Sequence, residues 1–190
     1  ERIPLGFKTH ASAQEVNIDL PRTETAQYFL ETVGQFQLGT LGGGNHFIEV
    51  GYGRDDAVWI VVHSGSRGFG HKIASHYMTQ AFIAKNPHLS DIDAMVADYC
   101  EKNARVKEHN PERYEMNLQQ FKVKAQAEIA QRAHKIDESK MKEIYGLDVA
   151  STIGQAYITD LNFALAFALE NRKRMIAAIV GLMNEVVGGQ

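Results

Sequence analysis

Two histidines seventeen positions apart sit beside glycine and polar side chains, in Gly42-Gly43-Gly44-Asn45-His46-Phe47-Ile48-Glu49 and in Val61-Val62-His63-Ser64-Gly65-Ser66-Arg67-Gly68. Imidazole is a borderline-soft ligand that suits zinc, manganese, iron or nickel, so the pair points to a metal without choosing one. Two ligands are too few for a tight site, and others must join them. A lone histidine at a strand end is more often an ordinary polar residue. Two of them in one Gly/Asn/Ser/Arg setting favour ligation.

The neighbours of the two histidines suit phosphate. Glycines 42–44 lack a Cβ, which lets backbone amides approach an anion closely. Ser64 and Ser66 add hydroxyl donors, and Arg67 carries a planar guanidinium that can grip phosphate through two parallel bonds. Glu49, three residues after His46, falls on the opposite face of a regular strand from His46. It is a surface acid, or an acceptor for a purine base edge.

The elements that must position these residues are a hairpin and a set of helices. Strands are expected near 46–50 and 57–63, joined by Gly51-Tyr52-Gly53-Arg54-Asp55-Asp56. Val58-Trp59-Ile60-Val61-Val62 is so apolar that burial on both faces is expected. Residues 1–25 read as extended or loop, and Thr25 to Gly34 as a short helix stopped by its glycine. Helical spacing follows over His71 to Lys85. A helix should open at Asn110-Pro111-Glu112, with Asn as the cap and Pro in the first turn, and could run to Tyr145 with Gly146 as its stop. Another is expected from about Ser151 to Val187. The apolar stretch from Ile158 to Val187 contains Asp160, Asn162 and Glu170 to Arg174, so it reads as a core helix and not a membrane span. The fold class is therefore α+β, with short strands carrying the motifs and helices filling the C-terminal two-thirds. No repeat or composition shift forces a boundary, so residues 1–190 read as one domain.

Composition narrows the function classes. With 190 residues, 44% of them hydrophobic, the chain can bury a substantial core, and a net charge of −3 provides no global attraction to a polyanion. Any nucleic acid must be held by a local patch. The single cysteine, Cys100, excludes a disulfide framework and suits a reducing cytoplasm. In its helical context with no second cysteine, it reads as a small buried hydrophobe. His71 and His76 have the wrong spacing to share a helix face, so at least one is structural. His88, His109 and His134 read as solvated. The chain opens at Glu1-Arg2 and closes on Gly188-Gly189-Gln190, as expected of a piece of a longer protein.

The run Leu38-Gly39-Thr40-Leu41-Gly42-Gly43-Gly44-Asn45-His46-Phe47-Ile48-Glu49, followed by His63-Ser64-Gly65-Ser66-Arg67-Gly68, resembles the central signature of the RtcB family of GTP-dependent RNA-splicing ligases. Weaker similarity extends to Ile3-Pro4-Leu5-Gly6 and to the segment Tyr157 to Arg172, which ends in Asn171-Arg172. The resemblance implies an enzyme that joins RNA 2′,3′-cyclic phosphate or 3′-phosphate ends to 5′-hydroxyl ends, in tRNA splicing or RNA repair, with GTP and manganese. In that family a histidine is guanylylated, GMP passes to the RNA 3′-phosphate, and the 5′-hydroxyl displaces it.

By motif position the resemblance makes His46 and His63 manganese ligands. It places Asn45 against nucleotide or RNA phosphate, Phe47 and Glu49 at the guanine nucleotide, and Ser64 and Arg67 in the phosphate pocket. Asn45 and Arg67 are then the candidate catalytic residues. The implied partners are RNA, as tRNA halves or broken strands, and GTP, with no membrane; an activating protein is an open possibility. The family's Asp/Gly/Cys motif and its His-Gly-Ala-Gly-Arg stretch have no counterpart here, and Cys100 stands in the wrong context. The chain therefore resembles the central part of a larger catalytic domain and is expected to be inactive alone. The alternative is a shortened, non-catalytic homologue that binds metal and phosphate or RNA.

Overall fold

The computed structural model describes residues 2–85, 92–134 and 145–188. It is an α+β arrangement, with one two-stranded antiparallel sheet and helices that dominate the C-terminal part. Two compact units make it up, one from residues 1–76 and 148–190 and the other from 77–147. The first carries every residue singled out for chemistry.

In that unit α1 (Glu24–Phe29) opens on Thr23, whose hydroxyl accepts from the Ala26 amide. The helix does not stop at Gly34 as expected. It widens into a π-turn over Leu30–Gly34 and runs on as the short α2 (Gln35–Gln37). Gly34 keeps helical angles and is a packing residue: a Cβ there would lie 2.9 Å from Leu30 Cδ1 and 3.3 Å from the Phe69 ring. Strands β1 (Phe47–Tyr52) and β2 (Val58–His63) pair with Phe47 opposite His63 and Glu49 opposite Val61.

The expectation that β2 is buried on both faces is overturned. Val58, Trp59 and Val61 are 47%, 60% and 46% exposed. Among the described residues β2 pairs only with β1, so no further strand covers its second edge, and Val58, Trp59 and Val61 stay exposed while Ile60 and Val62 are half-buried. Apolar composition reports a propensity for strand, and coverage depends on neighbours that the strand itself does not supply.

Helix α3 (Arg67–Lys85) begins inside the second motif, at its arginine. Its Phe69 is fully buried, meeting Phe167 at 4.8 Å and Phe163 edge-on at 6.0 Å between ring centres. Both partners belong to the long α7 (Thr152–Gly188), expected at almost these bounds. The core face of α7 steps through Phe163, Phe167, Asn171, Met175 and Ile179 at four-residue intervals, all buried. The core-helix reading holds for this face alone, since Leu165 and Leu169 on the helix are exposed. His76 on α3 meets the Phe29 ring edge-on; burial holds its imidazole below the usual range, partly opposed by Asp160. His71 is exposed.

The second unit holds α4 (Ile92–Lys102), α5 (Ala104–His109) and α6 (Pro111–His134). Asn110 caps α6 as expected, its side-chain oxygen accepting from the Arg113 amide at 3.0 Å, with Pro111 as the first helical residue. Tyr145 lies outside helix, and the expected continuation over 135–144 falls outside the described residues. Tyr99 stacks on Phe121 at 4.4 Å, and Cys100 is half-buried on the same helix as Tyr99. Exposed His109 meets the Arg105 carbonyl through its Nδ1. His88 and the His134 side chain lie outside the described residues. Among the described residues no helix is long and apolar enough to cross a membrane.

Candidate functional site

The hairpin register decides the geometry. Pairing Phe47 with His63 puts the end of β2 beside the start of β1, and His46 directly precedes β1. The His46 and His63 rings consequently approach to 6.1 Å between centres, at 38°. Two imidazoles sharing one ion have ring centres at most roughly 6.5 Å apart, twice the sum of a metal–nitrogen bond and the ring radius. The pair meets that condition. Phe47 stacks on His63 at 5.3 Å and 9°, which fixes the orientation of an otherwise exposed ring. Glu49 shares the Phe47 and His63 face, being two residues along β1 from Phe47, and is exposed.

His46 is half-buried, and its Nδ1 is buried without a hydrogen-bond partner. Orphaned buried nitrogens are rare and mark places where a further group belongs. The ring rests against Gly42, at φ +101°: a Cβ there would lie 2.5 Å from His46 Nδ1 and 2.0 Å from Arg67 Nη1. Only glycine lets both side chains close over this backbone. Among the described residues no cluster of three or more His, Cys, Asp or Glu could hold a metal, so an ion at the imidazole pair would need further ligands.

Arg67 takes a left-handed backbone conformation, φ 56°, which is unusual for a residue with a side chain. Its Nε donates to Thr40 Oγ1 at 3.0 Å and its Nη2 to the Gly6 carbonyl at 2.9 Å, while partial burial lowers its pKa. Two of its donor positions are thus spent on the glycine loop and the N-terminal segment, and Nη1 is left over Gly42. That segment is itself tied down: Gly6 N donates to Gly42 O, and Leu41 N to Pro4 O. Ser64, also half-buried, donates its hydroxyl to Leu41 O at 2.7 Å. Asn45 is exposed, as are Gly43 and Gly44 before it. The seven candidate residues therefore lie on the hairpin, in the loops next to it and, for Arg67, at the start of α3.

A family model described as tRNA-splicing ligase RtcB matches residues 6–190. The chain belongs to the RtcB family. Its RtcB relatives include the RNA-splicing ligase RtcB of Escherichia coli strain K12, 48% identical over 59 residues that cover 31% of this chain and 14% of that protein. The tRNA-splicing ligase RtcB of Pyrobaculum aerophilum is 42% identical over 60 residues, 24% of this chain and 12% of its own length. That of Nanoarchaeum equitans is 34% identical over 88 residues, 38% and 18% respectively. The matches thus span under a fifth of the length of these relatives. No solved structure matches.

Asn171 had no role assigned from the sequence. Asn171 is fully buried on α7, and its amide contacts both loops. A signal for it exists: an asparagine at a core-facing position between Phe167 and Met175 must find hydrogen-bond partners. Which partners it finds is decided by the fold.

Proposed function

We propose that this chain contributes the manganese and phosphate region of an RtcB-type ligase that joins RNA 2′,3′-cyclic phosphate or 3′-phosphate ends to 5′-hydroxyl ends with GTP. The observation that carries the reading is the convergence of His46 and His63 at 6.1 Å beside the orphaned His46 Nδ1, within the family's signature. A bound metal would offset negative charge on the reacting phosphates. His46 and His63 would hold it, with remaining positions filled by water, substrate oxygen or residues beyond those described. Exposed Asn45 donates its side-chain amide to a nucleotide or RNA phosphate at the loop tip. Phe47 and Glu49 offer a guanine nucleotide a ring face and an acceptor. The Ser64 hydroxyl, its proton committed to Leu41, is left with acceptor capacity, so its part in the pocket is to hold the loop and present backbone. Arg67 keeps its Nη1 edge for phosphate while Nε and Nη2 fix its position.

The test uses the 190-residue chain with histidine-selective NMR. Substoichiometric Mn²⁺ should broaden the His46 and His63 imidazole signals together, and more strongly when a 3′-phosphate RNA oligonucleotide is present than with its 3′-hydroxyl counterpart. With radiolabelled GTP the chain alone should form no covalent GMP adduct. Broadening that spares both histidines, or an acid-labile adduct on any residue here, overturns the reading.

A further inference from the structure

We infer that Asn171 is a positioning residue that sets the distance between the two histidine-bearing segments. Its Oδ1 accepts from the Gly39 amide at 2.6 Å and the Thr40 amide at 3.1 Å, at the root of the loop leading to His46. Its Nδ2 donates to the Thr40 carbonyl at 3.1 Å, and across to Ser64 Oγ at 3.3 Å and the Gly65 carbonyl at 3.1 Å, directly after His63. One side chain thus touches both segments. It is itself immovable, being fully buried on the helix face that packs against Phe69 through Phe163 and Phe167.

The neighbouring contacts close the frame. Arg172, next on α7, donates to the Ser64 carbonyl at 3.1 Å. Ser64 in turn donates to Leu41, and fully buried Thr40 receives Arg67 while donating to the Gln37 carbonyl. The hairpin pairing alone joins the histidines through β1 and β2, which are exposed and paired only with each other among the described residues. Asn171 adds a second connection from the opposite side, through a rigid helix. An amide is the group this place requires. It alone among uncharged side chains of that size offers an acceptor to two N–H groups and donors to two carbonyls at once. A carboxylate would set lone pairs against the Thr40 and Gly65 carbonyls.

This inference rests on reading His46 and His63 as a metal pair, and the experiment separates the two. Asn171→Asp keeps the shape and removes the donors; Asp160→Ala serves as the comparator, equally buried on α7 but tied to Thr23 at the start of α1. Both are studied below their melting points by the histidine NMR described above. In the parent chain a through-space contact between the two imidazoles should be observed. Asn171→Asp should lose it, and should need roughly 10- to 100-fold more Mn²⁺ for equal broadening, the usual effect of removing a group that orients ligands. Asp160→Ala should retain both. Should Asn171→Asp fail to fold, Asn171→Ser, which lacks the second donor, carries the same expectation. Equal losses in the two variants, or an imidazole contact that survives at Asn171, overturn the inference. If the parent chain binds no Mn²⁺ yet Asn171→Asp alone loses the imidazole contact, the metal reading falls and the positioning role stands.

Discussion

Replacing Gly42 with alanine tests the centre of the site most directly. At φ +101° the new Cβ would meet Arg67 Nη1 at 2.0 Å, His46 Nδ1 at 2.5 Å and Arg67 Cζ at 2.7 Å, so the guanidinium must leave. The left-handed backbone costs an L-residue about 1–2 kcal/mol. Eviction of Arg67 breaks its bonds to Thr40 Oγ1 and the Gly6 carbonyl, and hydrogen bonds from a charged donor contribute about 1.5–3 kcal/mol each. The sum is on the order of 4–8 kcal/mol against a typical total stability of about 5–15 kcal/mol. Gly44→Ala is the internal reference. Gly44 also has a positive φ, +70°, but a Cβ there meets nothing within 4 Å, so only the backbone cost of about 1–2 kcal/mol applies. Loss of unfolded-state freedom offsets both substitutions by about 0.4–1 kcal/mol and cancels in the comparison. Urea unfolding followed by far-ultraviolet circular dichroism should therefore place Gly42→Ala about 3 kcal/mol or more below Gly44→Ala. Equal shifts in the two variants would refute the claim that Arg67 and His46 close over Gly42.

Two further expectations concern the same loops. Arg67→Lys keeps a charge but lacks the planar fork that spans Thr40 and Gly6; it should lower stability by about 1.5–3 kcal/mol in chemical denaturation, and a loss under about 0.5 kcal/mol would show that these bonds carry no weight. Trp59, the only tryptophan, is 60% exposed on β2, so its emission should be red-shifted and open to acrylamide quenching in the 190-residue chain, whereas blue-shifted, protected emission would mean that the hairpin face is covered in solution.

Much of the molecule follows from local rules that the sequence carries openly. The α6 start at Asn110-Pro111, the limits of α7 and the hairpin all come from capping, periodicity and β-branched composition, which act over a few residues. That the two motifs come together is legible for the same reason, since they are contiguous runs flanking one hairpin. The continuation of α1 through Gly34 was not legible, because glycine reads as a stop until Phe69 is known to lie 3.3 Å from where its Cβ would be. The exposure of Val58, Trp59 and Val61 was equally hidden, since burial depends on what covers a strand. Neither the occupation of the Arg67 fork by Thr40 and Gly6 nor the reach of Asn171 across 132 and 106 positions to Gly39 and Gly65 could be read from spacing. The sequence by itself settles which residue types are present and which short segments they fold into; tertiary packing settles which of their donors and acceptors are already satisfied, and hence what remains free for a metal or a phosphate.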